Sequence, residues 1–563
     1  TFTPALCAML LKNTHGVEKK PTPINRFIKT FNNWFKNLQG KYKNLIEHIL
    51  NRKLITFGIL IAFCFGTWGM SNVVPTGFIP NEDQGVFYCL ISTPPGSTLE
   101  RTDAVLSQIQ KEAAKIDDIA SVSTTAGFEI LTEGTGANSG TALINLKDWS
   151  DRKHSLTEIM SELEEKTKNI KGANIEYFPP PAVPGYGAAG GFELRLLDKA
   201  GSGDYKKMET VNKQFVEDLN KRPELSSVFG FYNASFPQYI LNVDNEKAQQ
   251  KGVTIDNAMN TLSTLIGSYY STNFIKFDRQ YKVMVQALPQ YRAKPEDILK
   301  LYVKNDRDEM VPFASFITLQ KVYGLDEITR HNMYNASELS GSPAPGYSSG
   351  QAIEAIKQVA KEKLPKGFGI DWAGISIDEV AKGNQTLYIF IISLVFVYLV
   401  LSAQYDSFVL PLPVILSLPT GIFGAFFLLN TLGLENNIYA QIAMVMLIGI
   451  LGKNAVLIIE FAVQRQRAGA TKMQAAIDGA AARLRPILMT SFAFVAGLIP
   501  LVFATGPGAI GNRTIGAATA GGMIFGTLFG VVVVPGLYYL FARVPKHNVK
   551  EEIEDIIKKI EHE

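Results

Sequence analysis

Apolar residues in this chain are gathered into windows of about twenty, the length that crosses the hydrocarbon of a bilayer. The windows fall at 54–74, 387–403, 409–430, 438–462, 487–504 and 514–542, and each reads as a membrane-spanning helix. Between the first two lies a long stretch, 75–386, of ordinary soluble composition. A chain with 47% hydrophobic and 19% charged residues is too apolar for a soluble multidomain protein and too polar to lie wholly in lipid. The segregation along the sequence resolves the conflict.

Basic residues orient the spans. Lys19, Lys20, Arg26, Lys29, Lys36, Lys41, Lys43, Arg52 and Lys53 precede the first window, and Arg465, Arg467, Lys472, Arg483 and Arg485 separate the fourth from the fifth. Both groups belong on the cytoplasmic side, which exports the 75–386 block. The net charge of +3 is explained by these anchors and implies no nucleic-acid partner. Of the cysteines only Cys89 lies in the exported block, so no disulfide forms within it, and no metal-ligand spacing is present.

Lys453 stands inside the fourth window, in Gly452-Lys-Asn-Ala. An ammonium in hydrocarbon is costly and marks an ion or proton path. Glu460 lies two turns away on the same helix face, too far for a direct pair. Lys453 therefore requires a counter-charge from another helix. Arg483 and Arg485 open the fifth window at its cytoplasmic edge, with Thr490 inside it. On pattern alone Arg483 reads equally as a topology anchor or a functional group, and Thr490 as a satisfied helix hydroxyl. Gly522-x3-Gly526-x3-Gly530 in the last window permits close helix packing.

The first residues, 1–12, form an apolar run without a methionine or a charged leader, ending at Lys12. They read as the last turns of a descending span, with further sequence expected ahead of them, and not as a signal peptide. In 24–51, Phe27, Phe31, Trp34, Phe35, Leu38, Tyr42, Leu45, Ile46 and Ile49 recur at helical spacing among lysines and asparagines, the pattern of a helix lying in the membrane interface. The tail, 549–563, alternates acidic and basic residues and reads as a solvated amphipathic helix.

Two copies of one topology are expected in the exported block. The first runs strand 86–92, helix 100–116, strand 121–125, strand 142–146, helix 156–168 and strand 174–178, a ferredoxin-like β-α-β-β-α-β unit. A second starts with strand 192–197, helix 205–220 and strand 226–230, is interrupted, and resumes with helix 352–364 and strand 369–372. The interruption, 237–325, carries alternating stretches such as Tyr281-Lys-Val-Met-Val-Gln-Ala, the pattern of an exposed hairpin or small sheet. An insertion of this size suits a partner contact.

Powering chemistry is narrowed by motif. Gly452-Lys453 resembles the end of a phosphate-binding loop, but position 447 is leucine and Asn454 replaces the required hydroxyl, so no ATPase is read here. Gly506-Pro-Gly508-Ala-Ile-Gly511 follows a span and not a strand, and reads as an external loop. No nucleophile, base and acid are grouped, and the histidines are scattered.

Several strings together carry a resemblance. Thr3-Pro-Ala-Leu-Cys-Ala, Pro80-Asn-Glu-Asp-Gln-Gly-Val, Val243-Asp-Asn-Glu-Lys-Ala, Glu309-Met-Val-Pro-Phe, Ala344-Pro-Gly-Tyr-Ser-Ser-Gly, Gly383-Asn-Gln, Gly452-Lys-Asn-Ala and Arg483-Leu-Arg-Pro-Ile-Leu-Met-Thr-Ser make the chain similar, from Thr1 to about Arg543, to the C-terminal half of AcrB-type transporters of the resistance-nodulation-division (RND) class. The resemblance implies a membrane α-helical bundle of six full spans plus the end of a seventh. It also implies a large periplasmic α+β region of ferredoxin-like porter subdomains with a docking insertion. The expected segments are a helix end at 1–12, a cytoplasmic interfacial helix at 13–53 and a span at 54–74. Porter subdomains follow at 75–185 and, split, at 186–236 and 326–375, with docking at 237–325, five spans at 376–545 and a cytoplasmic tail at 546–563.

By the same resemblance the function is antiport of protons against drugs or other amphiphilic compounds, with no cofactor beyond the coupling proton and no enzymatic activity. The partners implied are a homotrimer, a periplasmic adaptor, an outer-membrane channel, small amphiphilic substrates and the lipids of a bacterial inner membrane. Lys453, Asn454, Arg483 and Thr490 match the proton relay, whose two aspartates belong to a helix of the other half. Ser123, Gly127, Phe128, Ile130 and Leu143 match a glycine-led switch loop and aromatic trap, with Phe178 as a further wall. Ser123, Ile130 and Leu143 stand where the family has phenylalanines, which implies weaker stacking on flat dyes. The competing classes are a heavy-metal or lipid exporter of the same type and a non-transport protein-export helper. Clustered soft ligands would mark a metal exporter, whereas Met160, Met208, Met259, Met284, Met310 and Met333 are dispersed.

Overall fold

A computed structural model of the chain describes residues 23–230, 232–325, 327–382 and 385–542, with Leu6 and Met9. The expected helix end at 1–12, those two residues apart, and the tail at 546–563 lie outside the described residues. The chain divides into two compact units, one built on the apolar windows and one on Gly85–Ala344 with Glu354–Ile377.

The first unit starts with α1 (Pro23–Asn51) and α2 (Lys53–Val73). One stripe of α1 is buried at Phe35, Tyr42, Ile46, Ile49 and Leu50, while Phe27, Phe31, Trp34 and Leu45 are exposed. Two apolar faces, one packed and one open, suit a helix lying at a membrane surface.

The second unit opens with β1 (Val86–Ser92), α3 (Leu99–Ala113), β2 (Ile119–Phe128), β3 (Thr135–Leu146), α4 (Leu156–Thr167) and β4 (Asn174–Phe178). The sheet is antiparallel in the order β2-β3-β1-β4. Alternation along β1 sends Phe87, Cys89 and Ile91 to one face, where they pack with Ile144, Leu106 and Ile109 of α3, and Ile159 and Leu163 of α4. Thr98 caps α3, and Ser155 with Glu158 forms a capping box at α4, satisfying amides that would otherwise be orphaned.

A second sheet repeats this order. Its strands are β5 (Phe192–Asp198), which precedes α5 (Tyr205–Asn220), and β6 (Leu225–Phe229), joined after the insertion by β13 and β14 (Arg330–His331 and Tyr334–Pro343), α8 (Ser349–Lys363) and β15 (Phe368–Ala373). β14 lies between β5 and β6, and β15 pairs with the other edge of β5. β14 is missing from the expected topology. Its small and polar sequence has weak strand propensity, and the pairing on both sides overrides it. Leu339 is fully buried, and a side chain at Gly341 would meet the Phe192 ring at 2.6 Å.

The insertion has its own core of Ala248, Val253, Leu262, Val303, Phe313 and Phe316. It carries β7 (Phe236–Val243), α6 (Asn245–Gln250), α7 (Ile255–Gly267), β8 (Tyr269–Lys276), β9 (Arg279–Val285), β10 (Tyr302–Lys304), β11 (Met310–Pro312) and β12 (Ile317–Gly324). The β8-β9 hairpin turns at Phe277 and Asp278, both with positive φ, as a two-residue turn matched to strand twist requires. Every residue of β8 is exposed.

After α9 (Ile375–Lys382) the first unit resumes with α10 (Gln385–Tyr405), α11 (Leu412–Thr431), α12 (Ile438–Arg467), α13 (Lys472–Val502) and α14 (Ala509–Phe541). With α2, these are six helices long and apolar enough to cross a membrane. α11, α12 and α14 form the buried centre, while α2, α10 and the apolar part of α13 are mostly exposed. Backbones of α11 and α14 touch at Gly424 and Gly521, where a side chain on either would strike the other's carbonyl. Gly522 and Gly526 receive Leu447 and Leu451 of α12, whereas Gly530 faces open space. α1 docks through Tyr42, whose hydroxyl donates to the Val531 carbonyl at 2.6 Å, and Gln39, which donates to Ala481 at 2.7 Å.

One expected boundary is corrected. α13 begins at Lys472, capped by Thr471, and runs unbroken through Pro486, so Arg483 and Arg485 lie within a helix and not in a connection. A hydropathy window sees only the apolar end, while Ala475, Ala476, Ala480 and Leu484 are buried through amphipathic packing.

Candidate functional site

Lys453 and Asn454 are successive residues of α12, so their side chains diverge by about 100°. Asn454 turns inward. Its Nδ2 donates to Ser491 Oγ on α13 at 3.3 Å, and Thr527 Oγ1 on α14 donates to the same oxygen at 2.8 Å. Ser491 and Thr527 are buried, so three helices are tied by hydroxyls and an amide inside the bundle, where such bonds are stronger than in water. A small cavity borders Asn454, Thr527 and Ser417.

Lys453 turns outward, is exposed, and makes no ion pair among the described residues. Glu460 is taken up by Gln464, whose Nε2 donates to it at 3.1 Å. Arg483 lies 5.1 Å over the Phe461 ring of α12, with its Nε buried and unpartnered. Thr490 is exposed and donates to the Ile487 carbonyl at 3.0 Å. The structure thus joins Asn454 to Ser491 and Thr527, and leaves Lys453 and Thr490 outside that cluster. Ser491 and Thr527 were not among the expected site residues. The signal available was a pair of mid-span hydroxyls able to satisfy the Asn454 amide.

The second expected site lies on the sheet face opposite α3 and α4. Ser123, Leu143, Tyr88 and Phe178 are directly opposite one another across the four strands. Tyr88 and Phe178 are 5.8 Å apart, and Phe178 lies 5.7 Å from Phe229. Ile130 packs against this group. Tyr88 is therefore a further aromatic member outside the expected set, although alternation along β1 places it opposite Phe87. Gly127 has φ +85° at a bulge between Ala126 and Phe128, so both Gly127 and Phe128 belong to β2, and the loop begins at Glu129. Phe128 is half-buried and outside the Tyr88–Phe178 cluster.

A cavity in the same unit is lined by Glu129, Leu131, Tyr232, Glu327, Ser337 and Glu338, among others, and by none of the six expected residues. Burial raises the Glu338 carboxyl, Arg195 at 3.5 Å lowers it, and Glu327 raises it again. Ser337 is 2% exposed, with its hydroxyl unpartnered. Carboxylates and an unsatisfied hydroxyl suit a cationic, hydrogen-bonding ligand.

The chain is similar to the toluene efflux pump membrane transporter TtgB of Pseudomonas putida, 39% identical over 95% of this chain and 51% of the relative. It is 35% identical to the multidrug export protein AcrF of Escherichia coli, over 96% of this chain and 52% of that protein. Similarity to the multidrug resistance protein MdtF of Escherichia coli O157:H7 is 34%, over 97% and 53%. The chain spans about half the length of the curated relatives it matches. Six helices long and apolar enough to cross a membrane, three of them joined by the Asn454–Ser491–Thr527 cluster, accompany a match to the AcrB/AcrD/AcrF family model over residues 1–542, and the chain belongs to that family.

Proposed function

We propose that this chain is the C-terminal half of a proton-driven RND exporter of amphiphilic compounds. The observation that carries the reading is Lys453, a charge on a bundle helix that faces away from the polar cluster built by its neighbour Asn454. A cation so placed serves a counter-charge that comes and goes with protonation. Two carboxylates outside this sequence would supply it, and Arg483 and Thr490 would complete the relay. When the carboxylates take up protons, Lys453 is released and the helices that carry it shift. Each charge moved through the membrane contributes about 2.3 kcal/mol per 100 mV.

The two sheets, sharing one strand order, serve as ferredoxin-like porter subdomains on the periplasmic side of the inner membrane. The Tyr88–Phe178 face and the acidic cavity contact substrate, and the cavity favours cationic heads. The exposed β8-β9 hairpin, with Phe274 stacked on Tyr281 at 5.4 Å, suits a contact between protomers of a homotrimer, and the insertion suits docking toward an adaptor and an outer-membrane channel. No cofactor other than the proton is involved.

The test is dye efflux from energised cells lacking their own pumps, with the complete reading frame carrying Lys453 or Lys453→Met. Efflux that collapses with a protonophore and is lost in the variant supports the reading. Equal behaviour of the two proteins would remove Lys453 from the relay and favour a protein-export helper.

A further inference from the structure

The end of the bundle at which α2 leaves and α12 enters carries a group that the relay does not use. Three backbone hydrogen bonds join the segment after α2 to the segment before α12. Asn436 N donates to Pro75 O at 2.8 Å, Gly77 N to Asn436 O at 3.3 Å and Ile438 N to Phe78 O at 3.0 Å. The Glu435 side chain lies across this junction. Its Oε2 occupies the space where a Cβ of Gly77 would stand, and the Ser349 hydroxyl is 3.4 Å from the same point. Ser349 in turn donates to Glu379 Oε1 at 2.6 Å and accepts from Phe78 N at 3.2 Å. Two carboxylates from distant parts of the chain, Glu435 at Gly77 and Glu379 on the Ser349 hydroxyl, are thereby close enough for the charge of one to act on the other.

We propose that Glu435, seated on Gly77 beside the Ser349 hydroxyl that holds Glu379, is a proton-binding latch that holds residues 75–78 to residues 435–438 when protonated and loosens them when ionised. Only glycine at 77 leaves room for the carboxyl, and a carboxyl so placed loses much of its water. The charge acting on Glu435 is that of Glu379 on α9; the 75–78 segment and Ser349 contribute no titratable side chain. Glu82, further along the segment after α2, accepts from Gly511 N at 2.7 Å and Ile510 N at 3.0 Å at the start of α14.

Burial first, and the like charge of Glu379 second, push the Glu435 carboxyl up to about 7. A raised carboxyl favours the closed junction at low pH. That preference is full below the usual carboxylate value and is lost as pH rises toward and through about 7, where the proton passes to bulk water. Protonation of this junction requires neither the relay nor a transported compound.

Hydrogen exchange of the full chain, in detergent or nanodiscs, tests it at the amides of Gly77, Asn436 and Ile438. After correction for intrinsic chemical rates, the opening constant should rise at least about tenfold between pH 5 and pH 8. Glu435→Gln should flatten that rise and stay protected at pH 8, and Glu379→Gln should shift the midpoint downward. A wild-type junction indifferent to pH, or a Glu435→Gln protein with the wild-type rise, would overturn the latch. Infrared difference titration of the wild type against Glu435→Gln gives a second measure, since the subtraction removes Glu176 and Glu193, whose carboxyls burial also pushes up to about 7. The expected outcome is a protonated carboxyl persisting to near neutrality, and its absence above about pH 5.5 would also overturn the proposal.

Discussion

Asn454 reaches 3.3 Å across a helix interface to the Ser491 hydroxyl, while Lys453, the residue before it, points away from that cluster exposed. The two polar residues of one motif are thereby divided between structure and charge. Asn454 holds α12 to α13 and, through Ser491, to α14. Lys453 is left able to respond to a counter-charge without disturbing the packing.

The division predicts separable effects. Lys453→Met should leave thermal stability in detergent unchanged and abolish dye efflux. Ser491→Ala should cost roughly 0.6 kcal/mol, the average measured for interhelical hydrogen bonds in membranes, and retain part of the transport. Thermal unfolding and efflux measured on the same preparations distinguish them. If Lys453→Met unfolds the protein, its role is structural.

Close approach of α11 and α14 at Gly424 and Gly521 predicts intolerance to volume. Gly424→Leu should destabilise the bundle by at least about 1–3 kcal/mol, the usual cost of overpacking, and lower the monodisperse fraction on gel filtration. Gly530→Ala, which meets nothing within 4 Å, should instead stabilise by about 0.5–1 kcal/mol through helix propensity.

The row Ser123, Leu143, Tyr88, Phe178 has aromatics at only two of its four positions. Leu143→Phe should tighten binding of a planar dye by about 0.5–1.5 kcal/mol, the usual range for an added aromatic pair. Fluorescence polarisation of the bound dye reads the change. Equal affinities would place the dye elsewhere, with the acidic cavity the first alternative.

In that cavity, Glu327→Gln should weaken export of a quaternary ammonium compound more than that of a neutral compound of similar size. Paired minimum inhibitory concentrations give the ratio. A uniform loss for both would indicate a folding defect and not charge recognition.

Asp118 is buried and accepts from His154 Nδ1 at 2.7 Å and Lys153 N at 3.2 Å. The hydrogen bond between them lowers the Asp118 carboxyl below its usual range and raises the His154 imidazole above 6.5. The histidine contribution is full below the unfolded value and is lost as pH rises through the raised one. The aspartate contribution is lost as pH falls through its lowered value. Thermal stability of the sheet-rich unit should therefore fall as pH rises from 6 to 8, and His154→Asn should flatten that slope.

Local pattern determined much of this architecture. β1 over Val86–Ser92 is where period-two alternation puts it, because Phe87, Cys89 and Ile91 carry the buried face in the sequence itself. The membrane helices follow from apolar length, since hydrocarbon forbids unsatisfied backbone. Tertiary structure decided the rest. β14 is a strand because β5 and β6 pair with it, against its own small and polar composition. α13 starts at Lys472 because alanines pack where hydropathy shows no span. Ser491 and not Thr490 meets Asn454 because one residue rotates a helix position by about 100°, a phase that only the neighbouring helices settle. Glu435 and Glu379 are far apart in the chain, and the like charge of one acts on the other only after folding has seated Glu435 on Gly77 and Glu379 on Ser349.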